Sequence, residues 1–577
     1  MGNEISNAIE SLNSVRNTKF VKCTTKENYI QTYSSDVKLS NGSLISLSIS
    51  FDKNYAISLP VFHIINPNHS YLHCDIQGKL CILDRDSIMI KPHMLSSLVV
   101  ECFDRALSIL SLDPKSNEYK LEYMREFNSY WVEVAKVLKV YTNIDTSTIK
   151  FQKAELLYTN KYLVVSDNKV TTEIIAREYL KIPKKANDKY YPIYLIRLKE
   201  GATLPSIKKT YSKKETVKYI LSNLSVSSRR EFEKLINKIS NDFCLMFLFI
   251  CPSGYHDIAF GFSFHTKTKR KKSVKNSNNC QVEPIYVRRF DTEYLNARLG
   301  SVQPINRKKI LLLGCGSIGG FVANNLCQTG ITTIDILDKD VYTPENACRH
   351  FLGFSGIYAD KPRYKADLVK NRLYELYPYI EIDSMCFEDR TVESFISSKD
   401  RLSNYDLIIS ALGDPTLNLE INRILYANLI PVPFVCCFNE PYGIGGHVIV
   451  VNISHNSCLQ CLYTSAFHTD IVQFRGSFVN DGQTFIKNNS GCGGSFVPYG
   501  CLDSQQTAIL ATKVVNEVLL GKFRSNKIYS WLGNSNLLTD AGYSVSDRYL
   551  KFSSSNTHII SDNLSGNANC FVCNYER

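Results

Sequence analysis

Hydrophobic and polar positions change rhythm along this chain, and the changes divide it into three regions. Up to about residue 145, the short runs GSLISLSISF, YAISLPVFHII and GKLCILD predict strands. Helical spacing follows from His93 to Leu110 and around Tyr123 to Leu138, an α+β pattern with strands first and helices after. Trp131 falls on that second helix as a core position. From about 146 to 285, KYLVVSD and YYPIYLIRL predict strands and the stretch from Ser212 towards Phe243 a helix. FLFICPSGYHDIAFGFSF then predicts a strand pair. From 286 to 577 strand and helix alternate: KKILLLGCG, SIGGFVANNLCQTG, TTIDILDKD, KADLVKNRLYELYP, YDLIISALG, NLEINRILYANL and VPFVCCFN. That alternation predicts a doubly wound, mainly parallel sheet.

Apolar runs such as MLSSLVVECF and DFCLMFLFIC fall short of the roughly 20 residues that span a bilayer. The first residues, MGNEISNAIESLN, are polar and acidic, unlike a secretory signal. The 19 cysteines sit in apolar runs and in two close pairs, which fits a reducing cytoplasm better than an oxidised secreted protein. The net charge of +12 owes much to KTKRKKSVK around Thr268–Lys275. Without interleaved aromatics, that run reads as a solvated loop rather than a nucleic-acid patch, and a contact for an acidic partner stays open.

The densest chemistry begins at LLLGCGSIGG, Leu311–Gly320. A strand ending in G-x-G-x-x-G puts Gly314, Gly316 and Gly319 where side chains would block a phosphate. The following helix points unpaired N–H groups at that phosphate. Asp338, ending the second strand, suits a ribose hydroxyl. NAD and ATP fit equally well to this point. Asn346, Arg349 and Lys365 then add a donor and two cations where a triphosphate would lie, as phosphoryl or adenylyl transfer requires. Asp414 in SALGDPT stands where it could hold Mg²⁺. Taken singly, the cations read as surface charges and Asp414 as a helix cap. Their shared place after strand ends favours ATP.

Two C-x-x-C pairs, Cys458/Cys461 and Cys570/Cys573, would form a closed tetrahedral Zn²⁺ site if they converge. Buried free thiols or a redox pair are the other readings.

These motifs together resemble the ThiF/MoeB/ubiquitin-activating superfamily over most of residues 290–577. The resemblance implies a Rossmann-like α/β adenylation domain with ATP held by Gly314–Gly319, Asp338, Asn346, Arg349, Lys365 and Asp414. It further implies an arginine just ahead of the first strand, for which Arg298 in NARLG is the candidate before Arg288 and Arg289. The family often carries zinc at such cysteine pairs. It also carries a catalytic thiol in the region of NNSGCGGSFVPYG, which selects Cys492 ahead of Cys501.

Near the N-terminus, Pro60 and then NPNHSYLHCDIQGKLCILD are similar to the ubiquitin-conjugating fold, in which a glycine precedes the catalytic cysteine in G-x-x-C-hydrophobic order. Gly78 and Cys81 match that order and His73 approximates the histidine. The His-Pro-Asn order is altered, so no residue is assigned to the oxyanion. Cys74 has the wrong spacing from the glycine.

The implied architecture is an α+β ubiquitin-conjugating-like domain (1–145), an α/β linker domain (146–285) and a ThiF-like adenylation domain with a zinc site (286–577). Such an order resembles bacterial fused conjugating–activating enzymes found with antiviral CD-NTase signalling systems. By that resemblance a partner's flexible C-terminal tail, of a CD-NTase cyclase or a ubiquitin-like protein, is adenylated. The acyl group then moves through Cys492 and Cys81 to a lysine of a target, with a homodimer bringing Cys81 to the activating domain. A sulfur-carrier activating enzyme, a degenerate nucleotide-binding scaffold and an NAD-dependent oxidoreductase are the competing readings.

Overall fold

The computed structural model describes all residues except 1, 26, 68–70, 76, 84–89, 92–93, 160–161, 209, 239, 254–256, 273–279, 298–304, 306–307, 359–360, 378–379, 386–394, 396–398, 466–471, 489–494, 556–557, 569 and 575–577. Two compact units result: Met1–Ala176 with Pro183–Phe290, and Arg177–Ile182 with Asp291–Arg577.

The polar look of the first residues conceals a helix, Gly2–Arg16. Ile5, Ala8, Ile9 and Leu12 recur at helical spacing and are buried. They pack with Leu47, Ile49 and Phe62 of an antiparallel meander and with Val99, Cys102 and Phe103 of the Leu95–Leu110 helix. The meander runs through Gln31–Lys38, Leu44–Phe51, Val61–Ile64 and Lys79–Leu80. Its last strand ends directly before Cys81.

The rest of this unit is a closed barrel. Seven strands take the order Ser240–Cys251, Ile258–Lys272, Gln281–Arg289, Leu138–Thr142, Leu163–Ser166, Phe151–Tyr158 and Lys189–Arg197, and the last pairs with the first. Side chains alternate along each strand. Met246, Leu248 and Ile250 therefore cluster with Val140, Val165 and Leu195. Phe247 and Phe249 instead join Phe127 and Trp131 of the Asn117–Val134 helix. Trp131 is fully buried and its indole N–H donates to the Ile285 carbonyl at 2.8 Å. The Thr268–Lys272 part of the basic run lies in a strand, not a loop, because the long partner strand keeps pairing out to Ser240↔Lys272.

The second unit is built on an eight-stranded sheet in the order Glu381–Met385, Thr333–Leu337, Lys309–Leu313, Leu407–Ser410, Phe434–Asn439, Gly445–Val451, Lys527–Leu532 and Ile559–Asn563. The first five strands are parallel and the remainder antiparallel. Lys309–Leu313 is apolar throughout its buried length because both faces are covered. Ile310 and Leu312 pack towards the helices Gly319–Gln328, Lys365–Leu376 and Cys501–Leu519. Leu311 and Leu313 pack towards Pro415–Ala427. Strand order reverses at Lys309–Leu313, whose neighbours are Thr333–Leu337 on one side and Leu407–Ser410 on the other. Ligands of such sheets bind at this crevice, beyond the carboxyl ends of the strands. Among the described residues, no helix is long and apolar enough to cross a membrane.

Candidate active site

The glycine loop leaves Leu313 and turns at once. Gly314 has φ +81°, and a Cβ there would stand 3.0 Å from the Ala411 carbonyl oxygen of the next strand's loop. A Cβ at Gly319 would stand 2.0 Å from the Gly314 carbonyl oxygen, so the loop closes on itself only with glycine there. Gly316 is different: nothing lies within 4 Å of where its Cβ would be. Two glycines thus shape the turn, and the third leaves open space for a ligand's phosphates.

Asp338 fastens this loop. Its buried carboxylate accepts from Cys315 N at 2.8 Å and from Asp340 N at 2.9 Å. Burial pushes its carboxyl pKa up, against the two N–H donors and Lys365. His350 holds the loop from the other side. Its Nδ1 accepts from Leu352 N at 3.1 Å, which leaves Nε2 to donate to the Cys315 carbonyl at 2.7 Å. Burial lowers the imidazole pKa to about 4, so the ring stays neutral. In the sequence, the signal available for His350 is its place directly after Arg349.

The cations stand around this turn. Lys365 opens its helix, largely buried, with Nζ 2.9 Å from Asp340 Oδ2. The Arg349 guanidinium carbon lies 5.4 Å from the centroid of the Tyr499 ring, and the Tyr499 hydroxyl is 3.0 Å from Ser317 Oγ in the glycine loop. Asn346 shapes the segment leading to Arg349: its Oδ1 accepts from Thr343 N at 3.1 Å. Asp414 caps the Pro415–Ala427 helix, accepting from Leu417 N at 3.1 Å, and is exposed. Asp338, Lys365, Arg349 and Asp414 all follow strand ends of one sheet, whereas Arg298 and Cys492 lie outside the described residues. Cys501, half-buried, begins the Cys501–Leu519 helix.

Residues 291–519 match the ThiF family. The chain is also similar to the ATP-dependent ubiquitin transferase-like protein Cap2 of Pseudomonas aeruginosa (strain BWHPSA011 / Pa011), 22% identical over 470 residues, which are 78% of this chain and 80% of that protein. With Cap2 of Vibrio cholerae serotype O1 (strain ATCC 39315 / El Tor Inaba N16961) it is 26% identical over 275 residues, 44% of each chain. Among solved structures, E. coli MccB with ATP matches at 16% identity and a TM-score of 0.33, covering 49% of this chain and 69% of that one.

Beyond this crevice, the segment matching the ThiF family supplies one of two cysteine pairs that do converge. Cys458 Sγ lies 3.9 Å from Cys461 Sγ and 3.7 Å from Cys570 Sγ, and Cys461 Sγ lies 3.4 Å from Cys573 Sγ. All four sulfurs fall within 4.8 Å of one another. A tetrahedron with Zn–S bonds of about 2.3 Å has sulfur–sulfur edges of about 3.8 Å, so the set fits zinc. Asn422 of the Pro415–Ala427 helix orients the first pair by accepting from Leu459 N at 3.0 Å, and Asn567 N points at Cys461 Sγ from 3.4 Å. These contacts resemble the outer partners that orient metal ligands.

The other unit holds a separate candidate centre. Cys81 is exposed and its backbone N donates to the His73 carbonyl at 2.7 Å. It borders a cavity of about 410 Å³ together with Pro60, His73, Glu126, Tyr130 and Glu133. His73 Nε2 lies 3.0 Å from Glu122 of the Asn117–Val134 helix. Cys74 is poorly suited to be a nucleophile, since burial, then Asp75 and Glu133, push its thiol up to about 12.

Proposed function

We propose that the chain activates the C-terminal carboxylate of a partner protein with ATP and conjugates it to an amine through two thiols. The observation carrying this reading is the convergence of the open Gly316 position, Arg349 and the buried Lys365 on one strand-end crevice within the ThiF-family match. The carboxylate attacks the α-phosphate of ATP, and pyrophosphate leaves. Loop N–H groups, Arg349 and Lys365 stabilise the charge that develops on the phosphoryl oxygens. Asp338 keeps the loop in shape and faces the ribose side. Asn346 presents Arg349, and Arg298 adds a further cation. Mg²⁺ neutralises phosphate charge when bound, and Asp414 is the carboxylate that would hold it, with the phosphates and water completing an oxygen shell.

Cys492 then attacks the acyl-adenylate as a thiolate, forming a thioester and releasing AMP. Cys81 takes the acyl group by thioester exchange and passes it to a target lysine amine, which loses a proton as the amide forms. Support for Cys81 in this role comes from its exposure at the end of the meander and from the helix–meander–helix order of its surroundings, which resembles a ubiquitin-conjugating domain. The similarity to the ubiquitin transferase-like protein Cap2 supports a protein as the activated partner. The resemblance of the domain order to fused conjugating–activating enzymes selects a CD-NTase cyclase for that role, whose priming would serve antiviral defence; a ubiquitin-like protein has the same tail chemistry. Zn²⁺ at the four cysteines is structural, and a homodimer brings the thiols together.

Non-reducing intact mass tests the relay. Wild type, Cys492→Ala and Cys81→Ala are each mixed with Mg-ATP and, in separate arms, a candidate CD-NTase cyclase or a candidate ubiquitin-like protein. The expected adduct is thiol-labile, absent in Cys492→Ala and stalled on Cys492 in Cys81→Ala. Final product still formed by Cys81→Ala would instead favour sulfur-carrier activation, and no adduct despite ATP and partner binding would sink the two-thiol route.

A further inference from the structure

Tyr499 touches two groups that the nucleotide reading needs, from a segment of its own. It precedes the Cys501–Leu519 helix by two residues, and its place is fixed next door, where the Pro498 carbonyl accepts from Tyr442 N at 2.5 Å. The hydroxyl is 3.0 Å from Ser317 Oγ, inside the Gly314–Gly319 loop. The ring lies 5.4 Å from the Arg349 guanidinium carbon.

We infer that Tyr499 is a positioning residue for the triphosphate, its ring placing Arg349 and its hydroxyl orienting Ser317. This rests on the reading of the crevice as an ATP site. A phosphate oxygen only accepts hydrogen bonds, so Ser317 must donate to it. The Ser317 oxygen then has a lone pair for the Tyr499 O–H, and the chain Tyr499 to Ser317 to phosphate runs in one direction. An aromatic face also attracts a guanidinium placed over it. Holding the Arg349 side chain before the nucleotide arrives reduces the rotamer entropy lost on binding.

Titration calorimetry of the full chain with Mg-ATP tests this through two double-mutant cycles, with thermal melts of every variant as the folding control. Tyr499→Phe keeps the ring and is expected to weaken ATP about threefold; Tyr499→Leu loses both contacts, for about tenfold. On a Ser317→Ala background Tyr499→Phe should cost nothing further. On an Arg349→Ala background the step from Phe to Leu at position 499 should likewise vanish. A purely structural role gives the same factor on every background, and that additivity overturns the inference, as would unchanged affinity in both single variants. Wild type that binds no Mg-ATP overturns the ATP reading together with it, whereas additive losses from a wild type that binds ATP overturn the role of Tyr499 alone. Should Tyr499→Leu fail to fold, the Tyr499→Phe and Ser317→Ala cycle decides by itself.

Discussion

His350 grips the glycine loop through Cys315: its Nε2–H donates to the Cys315 carbonyl at 2.7 Å while Leu352 N–H fills Nδ1. Both ring nitrogens are satisfied only in the neutral form, and burial lowers the pKa from 6.5 to about 4. The unfolded chain therefore takes up a proton below pH 6.5 that the folded chain refuses until about pH 4. The contribution of this group to stability is constant above that window and falls as pH drops through it, by about 3 kcal/mol in all. Thermal melts from pH 7.5 to 4.5 should show the advantage of wild type over His350→Gln shrinking as the pH falls.

The glycines separate shape from access. Gly319→Ala forces a Cβ to 2.0 Å from the Gly314 carbonyl oxygen and should cost about 3 kcal/mol, seen in denaturant melts. Gly316→Ala meets nothing within 4 Å, so stability should stay within about 0.5 kcal/mol of wild type. The same methyl group projects into the phosphate space, and ATP affinity should fall by about tenfold.

Asp338→Asn keeps the size of the side chain but sets an amide N–H₂ against the N–H of Cys315 or Asp340. One buried donor is left unsatisfied, at a cost of about 1–3 kcal/mol. Denaturant melts should register that loss, with ATP affinity falling as the loop loses its anchor.

Legibility in the sequence followed periodicity. The strand–helix alternation from Lys309 onward could be read directly because its strands are continuous apolar runs and its helices recur at 3.6 spacing. The helix Gly2–Arg16 was hidden by polar residues between its four apolar contacts, although Ile5, Ile9 and Leu12 carried the period. Closure of the barrel was not readable, because pairing of Lys189–Arg197 with Ser240–Cys251 joins strands separated by two helices and nothing local marks it. At the crevice, the charged and glycine positions stood out through their spacing. Tyr499 and His350 did not, since their meaning lies in contacts with Ser317, Arg349 and Cys315 that only folding creates.

Metal analysis of the purified chain should find about one zinc, bound by four cysteines. Cys573→Ser should lower zinc content to background and lower the melting temperature by several degrees, as a strong chelator should in wild type.

The pairing of Cys458 with Cys570 spans 112 positions of sequence. During synthesis the first two thiols leave the ribosome with no companions, and several strands and helices of the domain must emerge before the second two arrive. Completion of the cluster is therefore a report that the whole domain has been made. An interrupted chain, even one containing an intact glycine loop, would display a pair of unquenched thiols to any quality-control system able to recognise them.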